Sequence, residues 1–263
     1  MTISTLDGWI AAPKQHLPWK KTATRTTVAL RWFSVFDIAG NPGAGTLAIG
    51  NTANGLVPTD ATAGYPIINA FGGGAIGNIG RCEFNSSVAC RIRLFDRVFA
   101  AGAYAFNANV SLASQPSYAG RMPSGIYNGT EIWVEQVTAA TGNQAVNVTY
   151  LDQGGVSSST GAVGIAAAPT VGSCWQLPLA AGDSGVQQIN NVVGTVATAG
   201  TFNVMVLRSI ASIRIKVAND GDIQDFLKTG MRHIFADSAL YCLICPDSTS
   251  SGLPDCEFDV VNG

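Results

Sequence analysis

Short runs of apolar and β-branched residues, separated by glycine, asparagine and proline, dominate this chain of 263 residues. Such runs are too short for packed amphipathic helices and are typical of β-strands joined by turns. In SIRIKVA, Ile213 and Ile215 alternate with Arg214 and Lys216, which predicts a strand with one solvated face. The pattern predicts a mainly β protein, a β-sandwich or jelly roll. We expect strands at 88–95, 103–112, 130–137, 144–151, 186–193, 202–208, 212–218, 238–245 and 256–261.

Two local patterns predict more specific structure. In VTAATGNQAV, Gly142-Asn143 can supply positive φ angles, so we expect a hairpin between 130–137 and 144–151. The segment NDGDIQDFLKTG (219–230) predicts a helix, with acids at its start and Gly230 at its C-cap. The acids of this segment, Asp220, Asp222 and Asp225, are too few for a calcium loop and complement a helix N-terminus instead.

Charged side chains are scarce. They make up 12% of the residues, about half the usual share of a soluble domain, whereas hydrophobic residues make up 47%. A surface with few charges suits permanent contact with neighbouring proteins, because charge is depleted from the cores of interfaces. The net charge of −2 gives no general attraction to nucleic acid. The sequence has no apolar stretch long enough for a membrane span and no leader pattern, so we expect a soluble protein made in the cytosol.

The first 25 residues differ from the rest of the chain. Leu6, Trp9 and Ile10 recur at helical spacing and predict a short helix, after which Pro13 and Pro18 break the chain. We interpret residues 1–25 as an N-terminal arm that docks on its own body or on a neighbour. We expect the remaining residues, 26–263, to form a β-sandwich body. The sequence does not decide between one domain and two sub-domains. The contact residues predicted in the arm are Leu6, Trp9, Ile10 and Trp19.

A glycine-rich tract covers residues 40–80. Loops of this length are uncommon in compact domains and are usually functional or interface-forming. Its glycines leave few side chains for a core of its own, so we expect neighbouring chains to order it in an assembly. The contact residues predicted in the tract are Leu47, Leu56, Tyr65 and Phe71.

The tract contains Gly72-x-Gly74-x-x-Gly77, the spacing of a dinucleotide-binding turn. That chemistry needs a strand before the motif and a helix after it, because the helix N-terminus supplies the N–H groups. Pro66 interrupts the candidate strand, and the residues that follow, NIGRCEFNSSVACRIRLF, are β-branched and contain a turn. The motif therefore predicts a flexible loop entering strands, and no cofactor is expected.

The segment AGDSGVQ places Ser184 in the surroundings of a chymotrypsin-like nucleophile. That chemistry needs a histidine within hydrogen-bond reach and a carboxylate that orients it. His16 lies in the arm, and His233 follows the serine, which is the wrong order for that fold. We interpret the segment as a turn before a strand and expect no catalytic residues and no enzymatic activity.

The cysteines offer two patterns. Cys242-x-x-Cys245 with Cys256 supplies three thiols where zinc needs four ligands, so we favour buried free thiols and predict no metal site. If Asn85-Ser86-Ser87 is a three-residue turn, Cys82 falls opposite Cys90, close enough to bond. A reducing cytosol would leave that pair as thiols at first.

Four segments carry a family resemblance: IGNTANGLVPTDATAGYPIINAFGGG, VACRIRLFDRVF, TEIWVEQVTAATGNQAVNVTY and LPLAAGDSGVQQINNVVGTVATAGTFNVMVLRSI. They resemble structural proteins of tailed-bacteriophage virions. The resemblance implies a virion component assembled in the host cytoplasm and does not distinguish head from tail. We expect a capsid decoration (cement) or minor capsid protein of the head, because cementing proteins are often jelly rolls with arms that bind neighbouring capsid subunits. It implies other virion proteins as partners, foremost the major capsid protein, and a homo-oligomer without membrane or nucleic acid.

Two alternatives stay open. The first is a tail or fibre-associated structural protein. The second is a carbohydrate-binding β-sandwich module, for which Trp133, Trp175 and the tyrosines would be the stacking platforms.

Overall fold

The computed structural model describes residues 3, 5–50, 52–72, 76–112, 114–165, 169–196 and 199–262. It is mainly β, with several antiparallel sheets, as the sequence predicts. The helices are α1 Leu6–Ala11 and α2 Phe226–Thr229, with 3-10 turns at Ala119–Arg121 and Pro123–Gly125. The strands are β1 Lys14–Lys21, β2 Trp32–Ser34, β3 Gly40–Asn41, β4 Gly77–Ser86, β5 Cys90–Ala105, β6 Asn109–Ser111, β7 Thr130–Thr138, β8 Gln144–Asp152, β9 Ser157–Ser159, β10 Val163–Ile165, β11 Ser173–Leu177, β12 Val186–Gly194, β13 Thr201–Ile215, β14 Asp220–Gln224, β15 Arg232–Ile234, β16 Leu240–Pro246 and β17 Pro254–Asn262.

The chain divides into two compact units, each made of separated stretches of sequence. Unit 1 comprises Met1–Gly45, Thr59–Asp96 and Ile210–Gly263, and unit 2 comprises Thr46–Pro58 and Arg97–Ser209. The long strands β5 and β13 contribute residues to both units. Because each unit is assembled from segments far apart in the sequence, no linker marks the division.

Unit 1 is a β-sandwich. One sheet has the order β14-β4-β17-β1-β3, and β15 also pairs with β4. In the other sheet, β16 lies between β2 and β5 and β5 lies beside β13. The inner faces form one core, because alternate residues of these strands are buried. Its largest members include Trp19, Phe84 and Phe258.

Unit 2 is built in the same way. One sheet has the order β10-β8-β12-β6, with β9 also on β8. The other contains β11-β7-β13. The strict alternation of buried and half-buried residues along β8 places one of its faces in a core with Phe106, Tyr150 and Phe202.

Two local predictions differ from the structure. Strands β7 and β8 form as expected, but β7 pairs with β11 and β13 and β8 pairs with β9, β10 and β12, so the hairpin at Gly142-Asn143 is not formed. The segment 219–230 contains strand β14 and then only one helical turn, α2. Its caps are Asp225, whose carboxylate accepts two backbone N–H bonds, and Gly230, which is left-handed as predicted.

The N-terminal segment also differs from a simple arm. The short helix forms as α1, capped by Thr5, but residues 14–21 form strand β1 in the middle of a sheet. Pro18 does not break this strand, because on the β3 side of β1 only Lys20 and Lys21 are paired. Among the described residues, no neighbouring strand on that side requires an N–H from residue 18. Proline is tolerated where one edge of a strand makes no ladder bonds.

Candidate functional site

The contact residues predicted in the N-terminal segment fall into two groups. Leu6 and Ile10 are exposed on α1, at 49% and 59% of their surface. Trp19 is 1% exposed and belongs to the core of unit 1. Only the residues on α1 are therefore available to another chain.

Helix α1 is attached to unit 1 by contacts of Trp9 and Lys14. None of its residues is fully buried. The Trp9 ring stacks on Phe226 of α2 with 5.5 Å between ring centroids, and it lies against Gly80, where a Cβ would approach Trp9 Nε1 to 2.2 Å. Lys14 holds the end of the helix, because its ammonium donates to the carbonyls of Trp9 and Ile10 at 2.9 and 3.0 Å.

The glycine-rich tract packs against its own chain. In unit 1, the Tyr65 ring lies 4.7 Å from that of Phe36, and Gly45 and Gly64 flank the same Phe36 ring so closely that a Cβ at either would meet it within 2.5 Å. Phe71 covers Gly77 and packs on the core of unit 1. The described residues of the tract therefore make extensive contacts within their own chain, and the expectation that neighbouring chains order it stays a prediction.

The part of the tract that belongs to unit 2 is also held internally. Leu47 is buried, and its carbonyl accepts a bond from Asn203 Nδ2 at 2.7 Å. Asn203 Nδ2 also donates to Glu135, which lies 3.6 Å from Arg97 in a fully buried ion pair. Leu56 is partly buried and forms a two-way backbone bridge with Ala100. Gly74 of the GxGxxG pattern lies outside the described residues, and strand β4, not a helix, begins at Gly77.

An open cavity of about 490 Å³ lies between β1 and the tract in unit 1. The polar side chains at its wall include His16, Asp60 and Thr62. All three have partners: Asp60 accepts the Ile68 N–H at 2.8 Å, Thr62 Oγ1 accepts the Thr59 N–H at 3.4 Å, and His16 Nδ1 lies 2.6 Å from a carboxylate oxygen of Asp259. The first two contacts lie within the tract and the third joins β1 to β17. The tract is fixed on β1 by Gln15, whose Nε2 donates to the Ile67 carbonyl at 2.9 Å and whose Oε1 accepts the Asn69 N–H at 2.8 Å.

The turn from Val28 to Arg31 is the most unusual exposed feature. Leu30 is 71% exposed and adopts a left-handed conformation with φ of 62°. Its N–H donates to the Pro246 carbonyl at 2.8 Å, and the Arg31 N–H closes the turn on Val28. Val28 is itself 43% exposed, so the turn presents two aliphatic side chains to solvent. Nothing in the sequence around Leu30 signals this conformation, because it lacks the glycine or asparagine that usually marks it.

Ser184 and the histidines belong to different units. Ser184 is exposed in unit 2, where the Gln153 amide oxygen accepts its backbone N–H at 2.7 Å. Both histidines belong to unit 1. Next to the serine, Asp183 accepts a bond from the Tyr150 hydroxyl at 2.6 Å. Hydrogen bonds from Ser158 and then Tyr150 lower the pKa of that carboxyl. The side chains around the predicted turn therefore serve to fix its backbone.

The cysteines are buried and free. Cys82 lies opposite Phe258, and Cys90 lies opposite Pro246, so the predicted Cys82–Cys90 cross-strand pair is wrong. The chain leaves one sheet of unit 1 at Ser86 and enters the other at Cys90. Burial raises the pKa of the Cys90 thiol to about 11 and that of Cys242 well above its ordinary value, which keeps these thiols protonated at neutral pH.

The sequence analysis predicts no metal site and no membrane-spanning stretch. In the described part of the chain, the His, Cys, Asp and Glu side chains form no cluster of three that could hold a metal ion. The helices described there include none long and apolar enough to span a membrane.

The aromatic platforms of the carbohydrate-binding alternative are mostly internal. Trp133 is 0% exposed, and Tyr118 and Tyr150 are buried in the core of unit 2. Trp175 and Tyr127 are partly buried against the same core. A stacking site needs an exposed ring face, which most of these residues do not offer.

Comparisons with known proteins find no matching family model and no matching curated protein. Among solved structures, the chain matches infectious bursal disease virus of the Gx strain, with 7% identity and a TM-score of 0.18, over 95% of this chain and 80% of that chain. It matches the Gt strain of the same virus with 8% identity and a TM-score of 0.18, over 96% and 81%. A VP2 subviral particle of this virus gives 10% identity and a TM-score of 0.18, over 96% and 80%. Scores this low do not establish a shared fold.

Proposed function

We propose that this protein is a structural component of a virion, a capsid decoration or minor capsid protein that binds the major capsid protein of a bacteriophage head. The observation that carries the proposal is the exposed apolar surface of unit 1, above all Leu30. The resemblance to phage structural proteins and the small share of charged residues agree with it.

Leu30 is unfavourable in the free protein for two independent reasons. A left-handed conformation at a non-glycine residue costs of order 1–3 kcal/mol. An exposed leucine also forgoes the roughly 1.5–3 kcal/mol that full burial of its side chain would contribute. Its φ of 62° and exposure of 71% combine both costs at one position. Contact with a partner would recover the second cost, so the leucine makes sense as a residue buried on assembly.

Other exposed aliphatic residues are concentrated in the same unit. Nine of the twelve large apolar side chains that are exposed in the described residues belong to unit 1. They are Leu6, Ile10, Val28, Leu30, Ile67, Val217, Ile223, Leu227 and Leu253. Unit 1 is therefore the unit that we assign to contacts with the capsid.

The variant Leu30→Asn tests whether Leu30 contacts the capsid without lowering the folding stability of the protein. Asparagine tolerates the left-handed region much better than leucine, so the variant should be at least as stable as the wild type. It should nevertheless reduce incorporation into particles when supplied in trans to a phage lacking this chain, by about tenfold or more. The control is Val156→Asn, which removes an exposed aliphatic side chain (64%) from unit 2 and should leave incorporation unchanged.

Three outcomes decide the proposal. Equal incorporation of Leu30→Asn and wild type would show that Leu30 is not a contact residue. Absence of the wild-type chain from purified particles would refute the virion role itself. A cryo-EM map of the particle then separates the head assignment from the alternative, because a tail or fibre-associated protein would appear at the tail.

We also propose that the chain has no hydrolase activity. Ser184→Ala should leave incorporation unchanged, and a serine-directed phosphonate should not label the wild type. Stoichiometric labelling at Ser184 would contradict the structural assignment.

A further inference from the structure

Four basic residues lie at the unit 1 ends of β5 and β13, on the strand faces that turn away from the core of unit 1. Ile92 of β5 and Ile213 and Ile215 of β13 point into the core, so their neighbours along each strand point outward. These outward neighbours are Arg91, Arg93, Arg214 and, just past the end of β13, Lys216, and we call them the basic face. The two strands are adjacent in the sheet. Phe95, the next residue on the same face of β5, is fully buried, so the exposed part of the basic face consists of Arg91, Arg214 and Lys216.

Three of the four cations of the basic face are open to an acidic partner. Arg91, Arg214 and Lys216 are exposed, and within the described residues none of them forms an ion pair with an acid. The Arg93 guanidinium stacks on the Phe95 ring at 4.5 Å. Like charges on neighbouring strands repel one another, so an acidic partner would stabilise this face.

An acidic surface lies on strand β14, which follows β13 after a short connection. Strand β14 begins at Asp220, four residues after Lys216, and stands at the end of its sheet. The carboxylates of Asp220 and Asp222 are exposed and accept only the N–H of the next residue, at 2.8 and 2.7 Å. Beside them, Ile223 and Leu227 are 44% and 76% exposed. We call Asp220, Asp222, Ile223 and Leu227 the acidic edge.

The acidic edge is a poor template for pairing with a copy of itself. Two β14 strands placed side by side would bring their aspartates together, and like charges on paired strands are destabilising. The basic face is the complementary surface that the same chain offers. The net charge of −2 adds little long-range repulsion between copies.

We propose that the acidic edge of one copy binds the basic face of a second copy. Because residues 216–219 join the two surfaces, a two-fold arrangement can make the contact twice, each edge meeting the partner's face. The exposed Ile223 and Leu227 supply the apolar area that ion pairs alone lack. This inference rests on the proposed structural role and names the partner as a second copy of this chain.

Charge reversal tests the contact without relying on a loss of function. Variant A carries Arg91→Glu, Arg214→Glu and Lys216→Glu, which leaves Arg93 as the one cation among the four residues of the basic face, so both surfaces are negative. Variant B carries Asp220→Lys and Asp222→Lys, so both are positive. Sedimentation equilibrium should show that the wild type dimerises, that A and B alone associate at least tenfold more weakly, and that a mixture of A and B forms a heterodimer. Circular dichroism and thermal melting of each variant confirm that it is folded.

Salt and a control variant complete the test. Dimerisation of the wild type should weaken between 0.05 and about 1 M salt, because the Debye length falls from above 10 Å to about 3 Å. Lys20→Glu, which reverses an exposed charge on β1, should leave the dimer intact and is compared with Arg214→Glu alone.

The inference is overturned if the wild type is monomeric, if A or B dimerises like the wild type, or if folded A and B fail to form a heterodimer. Incorporation of A and B into particles at the wild-type level would refute this contact and leave the virion role standing. Absence of the wild type from particles, with its dimer intact, would refute only the virion role.

Discussion

Replacing Trp19 by alanine should destabilise unit 1 strongly. Trp19 is 1% exposed, lies opposite Cys256 on β17 and packs in the core of unit 1. A buried aromatic side chain removes about 150–250 Å² from water, which corresponds to about 4–6 kcal/mol at 25 cal/mol per Å². Measured Phe or Trp to Ala changes in cores fall at about 3–5 kcal/mol. We therefore expect the variant to lose about 4 kcal/mol of unfolding free energy.

Hydrogen exchange is the assay that reports unit 1 separately from unit 2. Exchange of the slowest amides of β4 and β17 should accelerate by roughly a thousandfold in Trp19→Ala, because each 1.4 kcal/mol is a factor of ten. Ile10→Ala is the control: Ile10 is 59% exposed on α1, and its variant should stay within about 0.5 kcal/mol of the wild type. If the amides of β17 exchange as slowly in Trp19→Ala as in Ile10→Ala, residues 14–21 are not part of the core.

Three further predictions concern other parts of the chain. Gly64→Ala should cost about 1–3 kcal/mol in thermal melting, because φ is 99° and a Cβ would lie 2.5 Å from a phenylalanine ring, whereas Gly43→Ala, with open space around it, should be nearly neutral. Burial raises the pKa of the Cys90 thiol from 9.0 to about 11. The protonated thiol therefore contributes its full stability below pH 9, and this contribution is lost as the pH rises towards 11. Cys90→Ala should reduce that alkaline loss of unfolding free energy in urea titrations, and an unchanged pH profile would contradict this reasoning. Glu135→Ala leaves a buried arginine without its carboxylate and should cost about 3–5 kcal/mol in urea unfolding; a loss below 1 kcal/mol would show that the ion pair is not buried.

Strands were predictable from the sequence where β-branched residues alternate with polar ones. The alternation of Ile213 and Ile215 with Arg214 places one face in the core and one in solvent, as observed. Pairing partners were less predictable, because β7 and β8 are neighbours in sequence and yet lie in different sheets. Local patterns define the face of a strand, whereas long-range packing defines its neighbour.

The N-terminal strand shows where sequence reasoning fails. Pro18 and the flanking lysines of β1 argue locally against a strand, and Trp19 was interpreted as a contact residue for that reason. In the structure, β17 supplies a partner from the far end of the chain and the core encloses Trp19. A contact between residues about 240 positions apart leaves no signal in a local pattern.

The candidate contact surfaces were predictable only in part. The outward arginines of β5 are visible as a period of two in the sequence, and the acids of β14 are visible as a cluster. The exposed Leu30 was not predictable, since no glycine or asparagine marks its left-handed conformation. The sequence also assigned Asp220 and Asp222 to a helix N-terminus, whereas they lie on an edge strand.

The part of the N-terminal segment that can leave the body without unfolding it is α1. Strand β1 pairs with β17 along its whole length and buries Leu17 and Trp19, so its removal would open the core. Helix α1 buries no residue completely and rests on the stack of Trp9 against Phe226. The contacts of Trp9 and the Lys14 bonds to the helix carbonyls are few, so α1 has a low local opening free energy, whereas an element within a sheet opens only with the unit. If the N-terminus of this protein reaches a neighbour, the boundary of the moving segment therefore lies at Ala12-Pro13, not at residue 25.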